Sequence, residues 1–199
     1  MRLVLDWDGT VTERDTLDLV LQRFGDTEVY ERVEAELERG TMTLNDVIAS
    51  EFATVTAPLE EVVPWLLENA RVRPGFAELA RSHRPLVLSS GFHELIEPVL
   101  EREGVLGAVE LRANRLDPFP DGWRVRFRVE RLCPHCGEAC KRGDLPADDV
   151  VYAGDGYSDR CVALAADRVF ATGSLATWLD ERGVAHEPLT DFEALAAAL

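Results

Sequence analysis

Asp6 and Asp8 stand one residue apart, followed by Gly9 and Thr10, directly after the apolar run Leu3-Val4-Leu5. An unbroken apolar run reads as a strand buried on both faces. In an open α/β sheet, ligands bind at the C-terminal end of such a strand. A bend is expected at Trp7-Asp8, and Gly9 makes it cheap. One carboxylate then suits a nucleophile and metal ligand, the other a general acid/base. On these residues alone, a strand ending in two solvated aspartates is an equal reading.

Three further clusters change that balance. Ser89 and Ser90 end the apolar run Leu86-Val87-Leu88, Asp155 and Asp159 follow Val150-Val151-Tyr152-Ala153, and Lys141 stands shortly before that last run. Three of the four clusters therefore fall at strand C-terminal ends and can meet at one edge of a parallel sheet. Together they supply four carboxylates, hydroxyls and a lysine. Such an oxygen-rich set suits Mg²⁺, which keeps several waters and also takes substrate phosphate as ligand. Phosphoryl transfer needs charge neutralisation, a positioned nucleophile and a proton donor. Taken singly, Ser89 could be a strand end and Lys141 a surface lysine.

The elements that must position these groups read as α/β. Residues 12–73 carry four helical stripes: Leu17, Val20, Leu21 and Phe24; Val29, Val33 and Leu37; Leu44, Val47, Ile48 and Phe52 behind a Thr43/Asp46 cap; and Val62 with Leu66 after Pro58. Pro64 is expected to kink or split the fourth helix, and Pro98 to interrupt the helix after Phe92. A crossover between parallel strands needs only one helix, so four suggest an insertion. Helices packed directly on the sheet are the alternative. Val109 to Leu111 reads as a strand. Trp123, Val125, Phe127 and Val129 alternate with Arg124, Arg126 and Arg128, as in a half-buried strand paired across Pro120-Asp121-Gly122 with the segment near Leu116. Its arginine face is expected to be solvated. A strand at 168–171, a helix capped by Ser174 and a helix opened by Thr190 or Asp191 complete the chain.

Composition narrows the function classes. The net charge of -16 argues against nucleic acid and anionic membranes as partners. No apolar run is long enough to span a bilayer and no signal peptide is evident, so a cytoplasmic protein is expected. Cys133, Cys136 and Cys140, with His135, have the spacing of a half zinc site. Because a second pair is missing, reduced structural thiols are the favoured reading, although Cys161 or His93 might approach.

Asp-Trp-Asp-Gly-Thr, Val-Leu-Ser-Ser-Gly-Phe, Cys-Lys and Gly-Asp-Gly-Tyr-Ser-Asp, in this order, resemble the four motifs of the haloacid dehalogenase superfamily of phosphatases. The resemblance covers essentially the whole chain. It implies a Rossmann-like parallel-sheet core, residues 1–12 and 73–199, with a helical-bundle cap at 13–72 and a β-hairpin. It implies Asp6 as nucleophile and Mg²⁺ ligand, and Asp8 as acid/base that also lends its backbone carbonyl to the metal. Ser89, Ser90 and Lys141 would hold the phosphoryl oxygens, Asp155 would bind Mg²⁺, and Asp159 would order the lysine and the metal's surroundings. The implied activity is a Mg²⁺-dependent phosphomonoesterase for a small phosphorylated metabolite, working through an aspartyl-phosphate. A phosphotransferase or mutase on the same site is the alternative. The sequence leaves the oligomeric state open.

Within the superfamily, Ala113-Asn114-Arg115-Leu116 and Ser-Ser-Gly-Phe resemble the phosphoserine phosphatase branch. The cysteine stretch and the C-terminal segment are more similar to the methionine-salvage 2-hydroxy-3-keto-5-methylthiopentenyl-1-phosphate phosphatases. Cysteines before the lysine also resemble phosphocholine and phosphoethanolamine phosphatases. In the phosphoserine branch the position of Asp15 carries an acid for the substrate ammonium group, and a cap arginine meets its carboxylate. Ungapped alignment through Gly40 and Thr43-Leu44 puts Glu51 at the arginine's position, so phosphoserine is expected to be a poor substrate. The alternative is that Glu51 points into solvent.

Overall fold

The apolar runs become strands and the helical stripes become helices. A computed structural model describes residues 1–147 and 149–199. In chain order these are β1 (Arg2–Leu5), α1 (Thr16–Phe24), α2 (Thr27–Glu38), α3 (Leu44–Phe52), α4 (Leu59–Asn69), α5 (Phe76–His83), β2 (Leu86–Phe92), α6 (His93–Arg102), β3 (Glu110–Phe119), β4 (Gly122–Arg126), β5 (Val150–Gly154), α7 (Arg160–Ala163), β6 (Arg168–Ala171), α8 (Gly173–Asp180), β7 (Glu187–Pro188) and α9 (Phe192–Ala198). The strands form one sheet in the order β4-β3-β2-β1-β5-β6-β7, parallel except for the antiparallel β3–β4 hairpin. The α/β class expected from the sequence is therefore the observed one. β1 lies between β2 and β5, where the strand order reverses, and the crevice beyond its C-terminal end is the expected ligand site of such a sheet.

Local chemistry starts and stops the helices. Asp15, Asp26, Thr43 and Asp191 each accept backbone N–H bonds at a helix start, each such cap being worth about 1 kcal/mol. Thr172 rather than Ser174 stands at the N-cap position of α8, without a side-chain cap bond, and Ser174 lies inside the first turn. Neither Pro64 nor Pro98 breaks its helix. Pro64 and Glu60, whose carbonyl loses its donor, both lie on the exposed face of α4, so water can take the place of the missing bond. The two strand segments read around 109–111 and 116 are one strand, β3, with Leu116 opposite Val125. β4 stops at Arg126, short of Phe127 and Val129. The alternating arginines are paired: Arg124 with Asp121 at 3.0 Å, Arg126 with Asp117 at 2.9 Å and, beyond the strand, Arg128 with Asp144 at 2.6 Å.

The chain enters and leaves the four-helix segment through a short antiparallel pair. Thr12 opposes Val72, Glu13 N–H donates to the Arg71 carbonyl at 2.9 Å, and Arg73 N–H donates to the Val11 carbonyl at 2.8 Å. The apolar core continues from the sheet into these helices: Leu5 and Phe92 share one cluster with Val20, Leu21, Ile48, Phe52, Val62 and Leu66. Phe52 meets Phe92 edge-on at 4.7 Å and stacks with Trp123 at 6.1 Å. Trp123 Nε1 donates to the Ala57 carbonyl at 2.9 Å, so the hairpin latches the loop between α3 and α4. Val33, Leu37 and Val47 form a separate small cluster between α2 and α3. Among the described residues no helix is long and apolar enough to cross a membrane.

Candidate active site

β1 delivers Asp6 to the sheet edge, and the turn after it is wound around one carbonyl. Trp7 O accepts from Val11 N–H at 2.9 Å and Thr12 N–H at 3.0 Å. Arg73 clamps the same turn by donating to the Gly9 and Thr10 carbonyls, each at 3.0 Å. Gly9 sits at φ +72°, and a Cβ there would stand 2.2 Å from Asp155 Oδ2, so no other residue fits. The indole of Trp7 is buried and meets Phe76 edge-on at 6.2 Å, anchoring the turn from below.

Asp6 and Asp8 are both buried, and their partners differ. Lys141 Nζ donates to Asp6 Oδ1, while Thr10 Oγ1 donates to Asp6 Oδ2 at 3.1 Å and lies 3.2 Å from Asp155 Oδ1. Asp8 Oδ1 accepts from the Thr16 hydroxyl and, at 3.1 Å, from Thr16 N–H. Asp8 Oδ2 accepts from Ser89 Oγ at 3.3 Å, and Ser89 Oγ is itself held by Gly91 N–H at 2.8 Å. Burial pushes both carboxyls up, Asp6 well above the usual range, and the charge of Asp159 adds to it at Asp6. At Asp8 the Thr16 hydrogen bonds work against the rise without cancelling it. A carboxyl that holds its proton more tightly than usual suits a general acid.

Lys141 is buried, donates to Asp159 Oδ1 at 2.7 Å as well as to Asp6, and stays charged because those two carboxylates outweigh the cost of burial. Asp159 is saturated. Its Oδ1 also accepts from Tyr152 OH at 2.6 Å, and its Oδ2 accepts from Asp155 N–H at 2.9 Å and Gly156 N–H at 3.1 Å. Lys141 and these bonds overcome burial and leave Asp159 below the usual range. Asp155 is pushed up to about 6 by burial and by the Asp159 charge. Oxygens of Asp6, Asp155 and Asp159 lie within 4.8 Å of one another. Four carboxylates facing one ammonium leave excess negative charge, and the donors are all oxygen, so the set fits a hard divalent cation such as Mg²⁺. Asp159 is filled by Lys141, Tyr152 and two backbone N–H groups, whereas Asp6 accepts one bond on each oxygen and Asp155 meets Thr10 alone, so Asp6 and Asp155 are the side chains more open to such an ion.

Ser89, Ser90 and Lys141 line one small recess with Asn114 and Arg128. Asn114 fixes its floor by donating to the Ser90 carbonyl at 2.7 Å and accepting from Arg128 N–H at 2.9 Å. A second cavity, of about 210 Å³, opens from Asp6, Asp8, Ser90 and Asp155 toward α1, α2 and α3. Asp15 and Glu51 both line it. Asp15 also caps α1, its Oδ1 accepting from Leu17 N–H at 2.8 Å and Asp18 N–H at 3.1 Å. Glu51 does not face solvent. It is 5% exposed, its Oε1 has no hydrogen-bond partner, and burial with the nearby charges of Glu34 and Asp18 pushes its carboxyl up to about 8. Tyr30 OH donates to Asp18 Oδ1 at 3.0 Å in the same wall.

The structure thus brings Asp6, Asp8, Ser89, Ser90, Lys141, Asp155 and Asp159 to one sheet edge, with Asp15 and Glu51 across the cavity. Sequence reasoning missed Thr10, Thr16, Arg73, Asn114 and Tyr152, which hold those groups. Thr10 was legible as part of Asp-Trp-Asp-Gly-Thr and Asn114 as part of Ala-Asn-Arg-Leu, though with no role assigned; the others carry no spacing signal. Cys161 on α7 joins Cys133, Cys136 and Cys140, supplying the fourth sulfur that the sequence reading lacked.

Known proteins align with this chain over its full length. A protein of Bacillus cereus called 2-hydroxy-3-keto-5-methylthiopentenyl-1-phosphate phosphatase is 24% identical, across 100% of this chain and 95% of that protein. A protein of the same name from an Exiguobacterium species is 26% identical across 98% and 95%. A solved phosphoserine phosphatase, as an analogue of its phospho-aspartyl intermediate, superposes with a TM-score of 0.71 at 18% identity, covering 99% of this chain and 97% of that one. A substrate-bound phosphoserine phosphatase gives 0.71 at 17% identity, covering 100% and 98%. The family model for haloacid dehalogenase-like hydrolases matches residues 3–164, and the chain belongs to that family.

Proposed function

We propose that this hydrolase is a Mg²⁺-dependent phosphomonoesterase acting through an aspartyl-phosphate on Asp6. Its preferred substrates are small phosphorylated metabolites whose leaving alcohol carries no carboxylate. Asp6 and Asp155 would hold the metal with the backbone carbonyl of Asp8, whose own carboxylate is occupied by Thr16 and Ser89. The bound ion would supply charge neutralisation at the phosphoryl oxygens.

The steps follow from the residues. Asp6 attacks phosphorus in line, and the bond to the alkyl oxygen breaks. Asp8, protonated, gives its proton to the departing alkoxide. Asp8, now ionised, takes a proton from the water that attacks the aspartyl-phosphate, which restores Asp6 and releases phosphate. Lys141, with Ser89 and Ser90, neutralises the transferring oxygens, and Asp159 keeps the lysine aimed and charged.

The observation that carries the substrate class is the far wall of the cavity. Asp15, Asp18, Glu34 and Glu51 line it with Leu17, Leu21 and Ile48, and among the described residues no arginine or lysine does. A substrate carboxylate would have no cation to meet on this wall and would be desolvated among four acids without a partner, which is costly for a buried charge. An apolar neutral chain can lie on the leucines, and an amino alcohol can pair with the acids. The relatives named for a methylthio-keto-enol phosphate support the first, whose leaving group is uncharged. The test compares kcat/KM for phosphoserine, phosphoethanolamine, phosphocholine and an alkyl-thioether phosphate, in wild type and Glu51→Arg. Phosphoserine should be the poorest for wild type and gain at least about tenfold relative to the others in Glu51→Arg. A wild-type preference for phosphoserine, or unchanged ratios in the variant, would overturn this reading of Glu51.

A further inference from the structure

Lys141 is placed to within hydrogen-bond distance of two buried carboxylates by a segment with almost no structure of its own. Between β4 and β5, residues 127–149 contain among the described residues only a 3-10 turn, Lys141–Asp144, and Lys141 is their one fully buried side chain. Phe127 and Leu145, near its two ends, pack against the apolar core, but Leu132 is 63% exposed, so apolar burial does not fix its middle. Loops of this length without secondary structure are uncommon in compact domains and need another restraint.

Four sulfurs are placed to provide it. Cys133, Cys136, Cys140 and Cys161 are all free thiols, and their Sγ atoms lie within 4.8 Å of one another, with Cys133 and Cys161 at 3.9 Å. Two thiolates on one zinc ion, at bonds of about 2.3 Å, are about 3.8 Å apart at the tetrahedral angle and never more than about 4.6 Å. Separations from 3.9 Å to no more than 4.8 Å lie around and just above that range, so a modest inward shift brings the four sulfurs onto a single ion. The backbone makes a knuckle around them. Cys133 N–H donates to the Glu138 carbonyl at 2.8 Å, and Gly137 N–H donates to the Cys133 carbonyl at 2.9 Å. Gly137, at φ +79°, reverses the chain after Cys136.

We propose that Cys133, Cys136, Cys140 and Cys161 bind one structural Zn²⁺. Four soft protein ligands in tetrahedral array select zinc over the hard cations that suit the carboxylate site, and they leave no open position for catalysis. Cys140 immediately precedes Lys141, and Cys161 follows Asp159 by two residues. The ion thus ties the two segments whose Lys141–Asp159 pair stands at the reacting centre. It also fixes Glu138, which accepts from Tyr157 OH at 2.7 Å and lies 3.4 Å from Leu44 N–H at the start of α3, so the knuckle braces the helical segment as well. Zinc binding here is a positioning and folding contribution, independent of which phosphate ester is hydrolysed.

The test is metal analysis of the full chain, expressed with zinc, purified without a metal-affinity step and desalted. About one zinc per chain is expected, released when a mercurial reagent titrates the thiols. Protein refolded with Co²⁺ should show the visible bands and thiolate charge transfer of a tetrahedral sulfur site. Cys136→Ser and Cys161→Ser should each retain roughly tenfold less zinc after desalting and melt at lower temperature. The wild-type cobalt spectrum gives an answer even if the variants fail to fold. Zinc-free folded protein whose four thiols react freely, a disulfide between any two of them, iron in place of zinc, or a cobalt spectrum without sulfur ligation would overturn the proposal.

Discussion

The two ends of the cavity both gather buried carboxylates, and they differ in how those carboxylates are hydrogen-bonded. At the sheet edge, Asp159 has Lys141, Tyr152 and two backbone N–H groups, and its carboxyl lies below the usual range. At the helical end, Glu51 has one oxygen with no partner and is pushed up to about 8, with Glu34 and Asp18 also raised by burial. A buried charge that is fully hydrogen-bonded is built machinery, whereas an unsatisfied one costs stability unless something binds it. The first end is complete within the chain and suits a reaction common to many substrates. The second end is incomplete, which is where a substrate's own groups can be read.

The largest effect should come from the complete end. Asp6→Asn should abolish phosphate release in a protein whose circular dichroism is unchanged, because an amide cannot form the acyl phosphate. Full turnover by the folded variant would remove Asp6 as nucleophile. Asp8→Asn should cost roughly 10²–10⁴ in kcat, with the first step partly rescued by a good leaving group that needs no proton. Equal losses for good and poor leaving groups would deny Asp8 the acid role. EDTA should stop turnover and Mg²⁺ restore it, while Ca²⁺, which takes more ligands at longer distances, should not. Undiminished activity in EDTA would remove the metal from the proposal.

The smallest effect belongs to the incomplete end and reads stability. Glu51 holds a proton in the folded protein up to about pH 8, while the unfolded chain releases it near the ordinary value of 4.5. The folded state binds the extra proton in that window, so stability falls as pH rises through it and levels off above pH 8. Glu51→Gln removes the titration. Its melting temperature should exceed wild type by a margin that grows between pH 5 and 8. A margin independent of pH would mean that Glu51 is not held protonated.

Comparison of sequence with structure separates what spacing encodes from what packing decides. The strands ending at Asp6, Ser89 and Asp155 were legible because a fully buried strand writes an unbroken apolar run. The α1, α2 and α3 stripes were legible because one face of each is apolar. Pro64, expected to kink or split its helix, does not split it, and Pro98, expected to interrupt its helix, does not. The hydroxyls of Thr16 and Tyr152 were not legible, since each becomes a partner of Asp8 or Asp159 only after its element docks on the sheet. The choice between a buried and a solvated Glu51 was not legible either, because a charged residue on an amphipathic helix normally faces water. Cys161 lies 21 residues beyond Cys140, and only the packing of α7 against the turn at Lys141 brings its sulfur to the other three.

The most direct test of the account is to trap the phosphoenzyme. Asp8→Asn should be mixed with Mg²⁺ and a phosphate ester of a good leaving group, quenched in acid within the first turnover, and its peptides weighed. The account predicts one phosphoryl group on the peptide that carries Asp6, absent when Asp6→Asn is added. Stoichiometric alcohol and phosphate release with no phosphorylated Asp6 at any quench time would contradict it.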